Sequence, residues 1–562
     1  MSPAFIFASV VLSLPALGHA ESFLRSHATQ ASRDGAADVP GPAKIPVELE
    51  DAADLERRGA HDPHAGTLAK DMAATFRSLP KLPGGGITPG AASYLLHRHF
   101  MAARGWSVGA FQPRGAAQNS SGPATAAQGG LAEASVVGLF ERRASQELGM
   151  SLDDAAALAA LVESLVHDEH VQRMTAARRA VGFSDASSLS DRDVQMVMDS
   201  YALMVLGGLN TSATAKDVTA LFSLISPKSM WRELRHEMRE VRRRAVTGLP
   251  PTAAKNSLEA VSDAVEKASL EVLPKQRSRE CGKVKAALMS GEGVVAGRVP
   301  LSSFYRLPPT ELWSPRESLA YLEQAGALDT TDAAAPSVVI PNYLLLSSNC
   351  EPSASALFAP CCPSECEAIH LHIERHVAAP HASAAQLRQL VETLERAPLP
   401  LSATLAERLD SIAAHHGGEV PIHGRLFAQW LHNVFPRECP FPHLSTAAQP
   451  KTSAHAIAVG ETPLALSDYE LAAVLEQLPP SEATVPQSEQ SAPAWCPTEK
   501  LLAEHHRSAP APPASRGLAG RLHAALRGPV GLFLLVSMLA SLLHAASGAR
   551  SAATRPAGKP LK

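Results

Sequence analysis

Apolar residues recur every three or four positions along most of the chain, the spacing that gathers them on one face of a helix. The clearest case is 151–180, where Leu152, Ala155, Ala159, Val162 and Val166 form a stripe. Asp153 and Asp154 fall in its first turn, where carboxylates suit the helix dipole. A second helix is predicted to begin at Ser190, with Asp193 as the acidic partner of a capping box and Val194, Val197, Met198, Tyr201 and Val205 on its inner face. These segments are expected to pack as a helical bundle. Helices around a Gly84-Gly85-Gly86 turn account for 63–111, and two more are predicted at 384–397 and 402–414. Between 230 and 246 the helix carries Arg232, Arg235, Arg239, Arg242, Arg243 and Arg244 against Glu233, Glu237 and Glu240. A solvated face laced with ion pairs explains that run more simply than an anion-binding surface does. The best strand is 337–346, which Pro341 confines to an edge or an end.

Both ends of the chain break this pattern. Residues 1–20 run through an apolar core to Gly18-His19-Ala20, which reads as a signal peptide cleaved after Ala20. The polar stretch 21–62 reads as disordered. Residues 528–547 are apolar over about the length needed to cross a bilayer, and the basic stretch 548–562 follows as a cytoplasmic tail. Because the signal sets the orientation, the expected topology is a type I membrane protein with a lumenal or extracellular ectodomain. Ten prolines between Pro450 and Pro513 make 446–527 read as a stalk. Sequons at Asn119 and Asn210 are glycosylation candidates on that ectodomain.

Composition sharpens the fold class. With 562 residues and 45% hydrophobic content the chain can bury a real core. Aromatics are only 5% while Ala is abundant, so the class is mainly α. A helical bundle region at 63–280 is expected to be followed by a Cys/His-rich helical region at 281–445, as the same or a second domain. The formal charge of −4 calls for neither nucleic acid nor an anionic surface.

Chemistry concentrates in that second region. The seven cysteines are Cys281, Cys350, Cys361, Cys362, Cys366, Cys439 and Cys496. In an oxidising compartment they read as a disulfide framework of undetermined connectivity, with one thiol left over. Cys361 and Cys362, being adjacent, are expected to take different partners, with Cys281 and Cys439 as long-range candidates. A Cys362 to Cys439 bond is one possibility. Histidines crowd the same stretch. His372 and His376 stand one turn apart, a spacing that shares a metal ion on a helix face, and His423 and His432 have the separation of a copper half-site. With His443 they form the alternative metal set, for copper or zinc. The bland alternative is histidines used singly on surfaces and in the core. A set at Glu163, His167, Asp168, Glu169 and His170 reads as a solvated helix end. No GxSxG, P-loop, GxGxxG or kinase signature stands in a fitting context.

Several blocks carry a resemblance. They are Tyr94 to Phe100 with Gly105-Trp106, Gly297 to Tyr305, Tyr321 to Asp329, Ile340 to Tyr343, Ser348 to Cys350, Cys361-Cys362-x3-Cys366, His423 to His432 and Phe435 to His443. Together, over about residues 65–445, they resemble a family of secretory single-span proteins of dinoflagellate-type protists. The resemblance implies that the Cys/His segment belongs to one ectodomain, and it brings no activity with it. The expected function is therefore non-enzymatic, a binding or structural role for a disulfide-stabilised helical ectodomain with an unidentified protein or ligand partner. It would be tethered in the plasma membrane or another secretory-pathway membrane, without a cofactor. The alternative is a membrane-tethered copper or zinc metalloenzyme using the histidines from His372 to His443.

Overall fold

The computed structural model describes residues 52–112, 126–183, 189–247, 258–332, 335–350, 353, 355–395, 397, 400–442, 465–478 and 495–502. The signal peptide, residues 21–51, the 528–547 span, the basic tail, the first sequon at Asn119 and His443 lie outside them; the end of the segment expected to be disordered is instead the helix Ala52–Ala60, whose Leu55 is buried in a core. Among the described residues the fold is mainly helical, and no helix is long and apolar enough to cross a membrane.

Local chemistry starts the helices where the pattern places them. Helix Leu152–Ala180 opens with a full capping box between Ser151 and Asp154, and Asp191–Leu206 with one between Ser190 and Asp193. Each box satisfies backbone N–H groups that the first turn leaves without partners. Thr214 and Asp217 do the same for Ala215–Ile225.

The long helix Leu152–Ala180 organises the N-terminal half. Its first half buries Ala155, Ala159, Val162 and Leu165 in a core shared with helices Ala65–Ser78, Pro89–Arg104 and Ala126–Ala144. Its last turns bury Met174, Ala176 and Ala177 in a second core with Asp191–Leu206, Ala215–Ile225, Ser229–Thr247 and Leu258–Glu271. At about 1.5 Å per residue the 29-residue helix is long enough to serve both.

Two further cores belong to the Cys/His-rich part. One packs Glu365–Val377, Ala384–Glu392, Ala403–His415 and Arg425–Val434 around Trp430 and Phe427. The other surrounds a three-stranded antiparallel sheet in which Ser337–Val339 lies between Arg298–Pro300 and Leu328–Asp329. The predicted strand 337–346 stops at Val339. Pro341 has no N–H to give a ladder but suits a first helical turn, and Ile340–Leu344 is a helix. The helix expected at 384–397 ends at Glu392.

The two halves are joined by pairing as well as packing. Strand Trp106–Val108 pairs antiparallel with Phe358–Pro360, and Ala356 and Leu357 enter the first core. Gly297 lies against the turn before Cys439. Its φ is +76°, and a Cβ there would sit 2.0 Å from the Pro436 carbonyl oxygen, so only glycine fits.

Two stretches of the Pro-rich segment depart from the stalk reading. Residues 465–478 lay Leu466, Leu471, Val474 and Leu475 on the sheet core, and Leu466 N–H donates to Arg316 O at 2.6 Å. Residues 495–502 bridge Gly424 through Leu501 and rest Trp495 on the core of Trp430. Proline-rich composition marks a segment that builds no core of its own, yet short apolar and backbone groups within it can dock on a neighbour's.

Candidate functional site: the cysteine and histidine region

Three disulfides converge on 350–366. Cys281 bonds Cys362, Cys350 bonds Cys361, and Cys366 bonds Cys439. The adjacent pair Cys361 and Cys362 is thus split between a partner 11 residues away and one 81 residues away. The Cys362 to Cys439 pairing offered by the sequence is not formed, because Cys366, the second residue of helix Glu365–Val377, bonds Cys439 instead. Cys496 is the unpaired thiol, half-buried in the 495–502 segment. Hydrogen bonds from the Thr498 backbone and side chain, with Arg425 nearby, hold that thiol below the usual range.

Beside this framework lies a buried polar cluster. Glu374 is fully buried on helix Glu365–Val377. Its Oε1 meets Arg98 and lies 2.9 Å from His423 Nε2, and its Oε2 accepts from Thr75 Oγ1 at 2.7 Å. Arg98, only 4% exposed in the middle of helix Pro89–Arg104, also pairs with Glu367 and donates to Tyr94 Oη at 3.0 Å. One carboxylate therefore meets Thr75, 299 positions before it, and His423, 49 positions after it.

Burial and pairing compete for each titratable group here. Burial would raise the Glu374 pKa, but the His423 hydrogen bond and the Arg98 charge hold it at about 2. Glu367 is raised, burial outweighing Arg98. His423 is lowered by burial despite its bond to Glu374, and His370 is lowered to about 3 by burial and then by Arg98. Both imidazoles keep a buried Nδ1 without a partner among the described residues. A neutral ring tolerates that better than a charged one.

The other predicted ligands go elsewhere. His432 is fully buried, and its Nδ1 donates to the Cys439 carbonyl at 2.7 Å, which tethers the ring to a disulfide. Arg298 donates to His432 Nε2 at 3.3 Å and pairs with Asp329 at 2.7 Å. His423 does sit in a turn just before the helix Arg425–Val434. It and His432 nevertheless have separate partners, and among the described residues no three His, Cys, Asp or Glu side chains are arranged to hold a metal ion. His372, half-buried, and His376, exposed, lie together on the outer side of their helix, away from the buried cluster.

The remaining candidates resolve singly. Asn210 accepts from the Ser212 N–H and hydroxyl at 3.0 and 2.7 Å in the loop after Asp191–Leu206. Of the Glu163 to His170 set, Glu169 and His170 are buried, not solvated. Glu169 accepts the Ala356 N–H at 2.7 Å, and His170 Nδ1 lies 2.8 Å from Tyr201 Oη. His167 pairs with Glu266, Asp168 with Arg58, and Glu163 with Arg104. On the arginine-rich helix, Arg235, Arg242, Arg243 and Arg244 pair with Asp199, Asp191, Glu240 and Glu271.

The 495–502 segment docks through charge-assisted bonds. Arg425 Nη1 donates to the carbonyls of Cys496 and Thr498 at 3.2 and 2.9 Å. Glu499 accepts from the Leu426 N–H at 3.1 Å and lies 2.8 Å from His416 Nε2.

Sequence reasoning missed Arg98 and Thr75. Arg98 stands between His97 and His99 in the sequence, so its charge does not single it out locally. Comparison with known proteins gives no match: no family model, no curated protein and no solved structure aligns with this chain.

Proposed function

We propose that this chain is a non-enzymatic, type I membrane protein of the secretory pathway, whose disulfide-stabilised helical ectodomain binds a partner or builds a surface or vesicle-lumen assembly. The observation that carries the reading is the use made of the chemistry-bearing residues. Six cysteines are spent on disulfides, and Glu374, His423 and His432 are spent on bonds between distant segments of the chain. Buried ion networks of this kind fix one arrangement of segments. Disulfides suit an oxidising lumen, in agreement with the signal-like 1–20 and the apolar 528–547. The resemblance to secretory single-span proteins implies the same topology. A metalloenzyme would draw His423 and His432 to one point, and their separate partners weigh against that arrangement.

The test is expression of the full chain in a secretory host, followed by N-terminal sequencing and alkaline carbonate extraction. The expected result is a mature N-terminus at Glu21, with the protein retained in the membrane pellet. An uncleaved N-terminus, or release of the intact chain into the supernatant, overturns the reading.

A further inference from the structure

The histidine pair left out of the buried cluster has a geometry of its own. His372 and His376 stand one turn apart on helix Glu365–Val377, with ring centroids 4.3 Å apart. His376 Nδ1 lies 2.7 Å from the His372 carbonyl oxygen. A carbonyl only accepts, so Nδ1 carries the proton and Nε2 keeps its lone pair. The hydroxyl of Thr393 donates to Leu390 O at 2.6 Å and has no second proton to give. It therefore accepts from His372 Nε2–H at 3.3 Å, which leaves the lone pair on His372 Nδ1. Each ring is oriented through one nitrogen and offers the other. That is the outer-shell arrangement which fixes metal-ligating imidazoles.

We infer that His372 and His376 form a two-imidazole chelate at the protein surface for a borderline divalent transition ion, Cu2+ or Zn2+, with water completing the coordination. Imidazole suits both ions, bonding at about 2.0–2.1 Å for zinc, and Cu2+ binds the tighter of the two to a given site. The site is independent of the buried histidines and of the membrane topology, so its failure would leave the proposed function standing.

The test is titration of the purified full chain with CuCl2 and with ZnCl2 by calorimetry, with the copper spectrum followed by electron paramagnetic resonance. The expected result is one tight equivalent with two coupled imidazole nitrogens. His376→Ala and, separately, His372→Gln should each weaken binding by at least ~10-fold and remove one nitrogen coupling. The exposed control His381→Ala should bind as the parent does. The proposal is overturned if the parent chain binds neither ion, or if the His372 and His376 variants bind as tightly as the parent.

Discussion

Glu374 Oε1 and His423 Nε2 lie 2.9 Å apart although 49 residues separate them, and both side chains are shielded from solvent. With Arg98 on the same carboxylate, this contact ties the helix Pro89–Arg104 to the disulfide-rich half. Removing Glu374 takes from Arg98 one of its two carboxylate partners and from His423 and Thr75 the carboxylate they share, all in a buried site. Glu374→Ala is therefore expected to cost about 3–5 kcal/mol of stability. The double variant Arg98→Met/Glu374→Met should cost less than the sum of its single changes. Denaturant unfolding of Glu374→Ala, Arg98→Met, Glu374→Met and the double variant checks both expectations, and strict additivity would show that the pair does not act as a unit.

Acid should weaken the same contact. In the folded chain His370 is held at about 3 and His423 is also lowered, so the unfolded chain binds more protons than the folded one below an ordinary histidine pKa of about 6.5. Glu374, held at about 2, adds to the effect below its usual range, while Glu367, raised, works against it. Stability should be full above about pH 6.5 and decline as pH falls toward 3. His370→Gln should flatten that decline by up to ~1.4 kcal/mol per pH unit. Thermal melts across pH 3–7.5 decide it, and an unchanged slope would mean His370 is not protonated on unfolding.

The two kinds of disulfide should differ in worth. Cys366–Cys439 closes 73 residues and Cys350–Cys361 only 11. In the chain-entropy model their removal costs about 4 and about 3 kcal/mol. The loss of Cys366–Cys439 should be the larger still, because the Cys439 carbonyl also holds His432. Paired Cys→Ala variants compared by denaturant unfolding give the order, and the reverse order would refute it.

Gly297→Ala is expected to disrupt the fold more than an ordinary glycine replacement. The new methyl would meet the Pro436 carbonyl and demand a left-handed backbone at the same residue. Thermal stability should fall well beyond the ~1 kcal/mol typical of point changes. A neutral substitution would mean that the 436–439 turn moves freely.

Local features of this fold were legible in the sequence and distant ones were not. Ser151 with Asp154, and Ser190 with Asp193, announce their helices because a capping box lies within four residues of chain. The mainly helical class follows from apolar spacing for the same reason. The Thr75, Arg98, Glu374 and His423 cluster gives no such sign, since each residue looks like an ordinary member of its own helix or loop until tertiary packing brings them together. Cysteine pairing depends likewise on where Cys281 and Cys439 arrive in space. Pro341 is compatible both with the limit of a strand and with the first turn of the helix it opens, because its missing N–H suits either place. Docking of 465–478 and 495–502 was hidden because composition reports that a segment lacks a core, not whether it borrows one.

The most direct measurement is non-reducing peptide mapping of the chain purified from a secretory host, with alkylation of free thiols before digestion. The predicted result is three linked peptides, Cys281 with Cys362, Cys350 with Cys361 and Cys366 with Cys439, and alkylation at Cys496 alone. Free thiols at several of the six paired positions, or a different pairing, would contradict a disulfide-framed ectodomain.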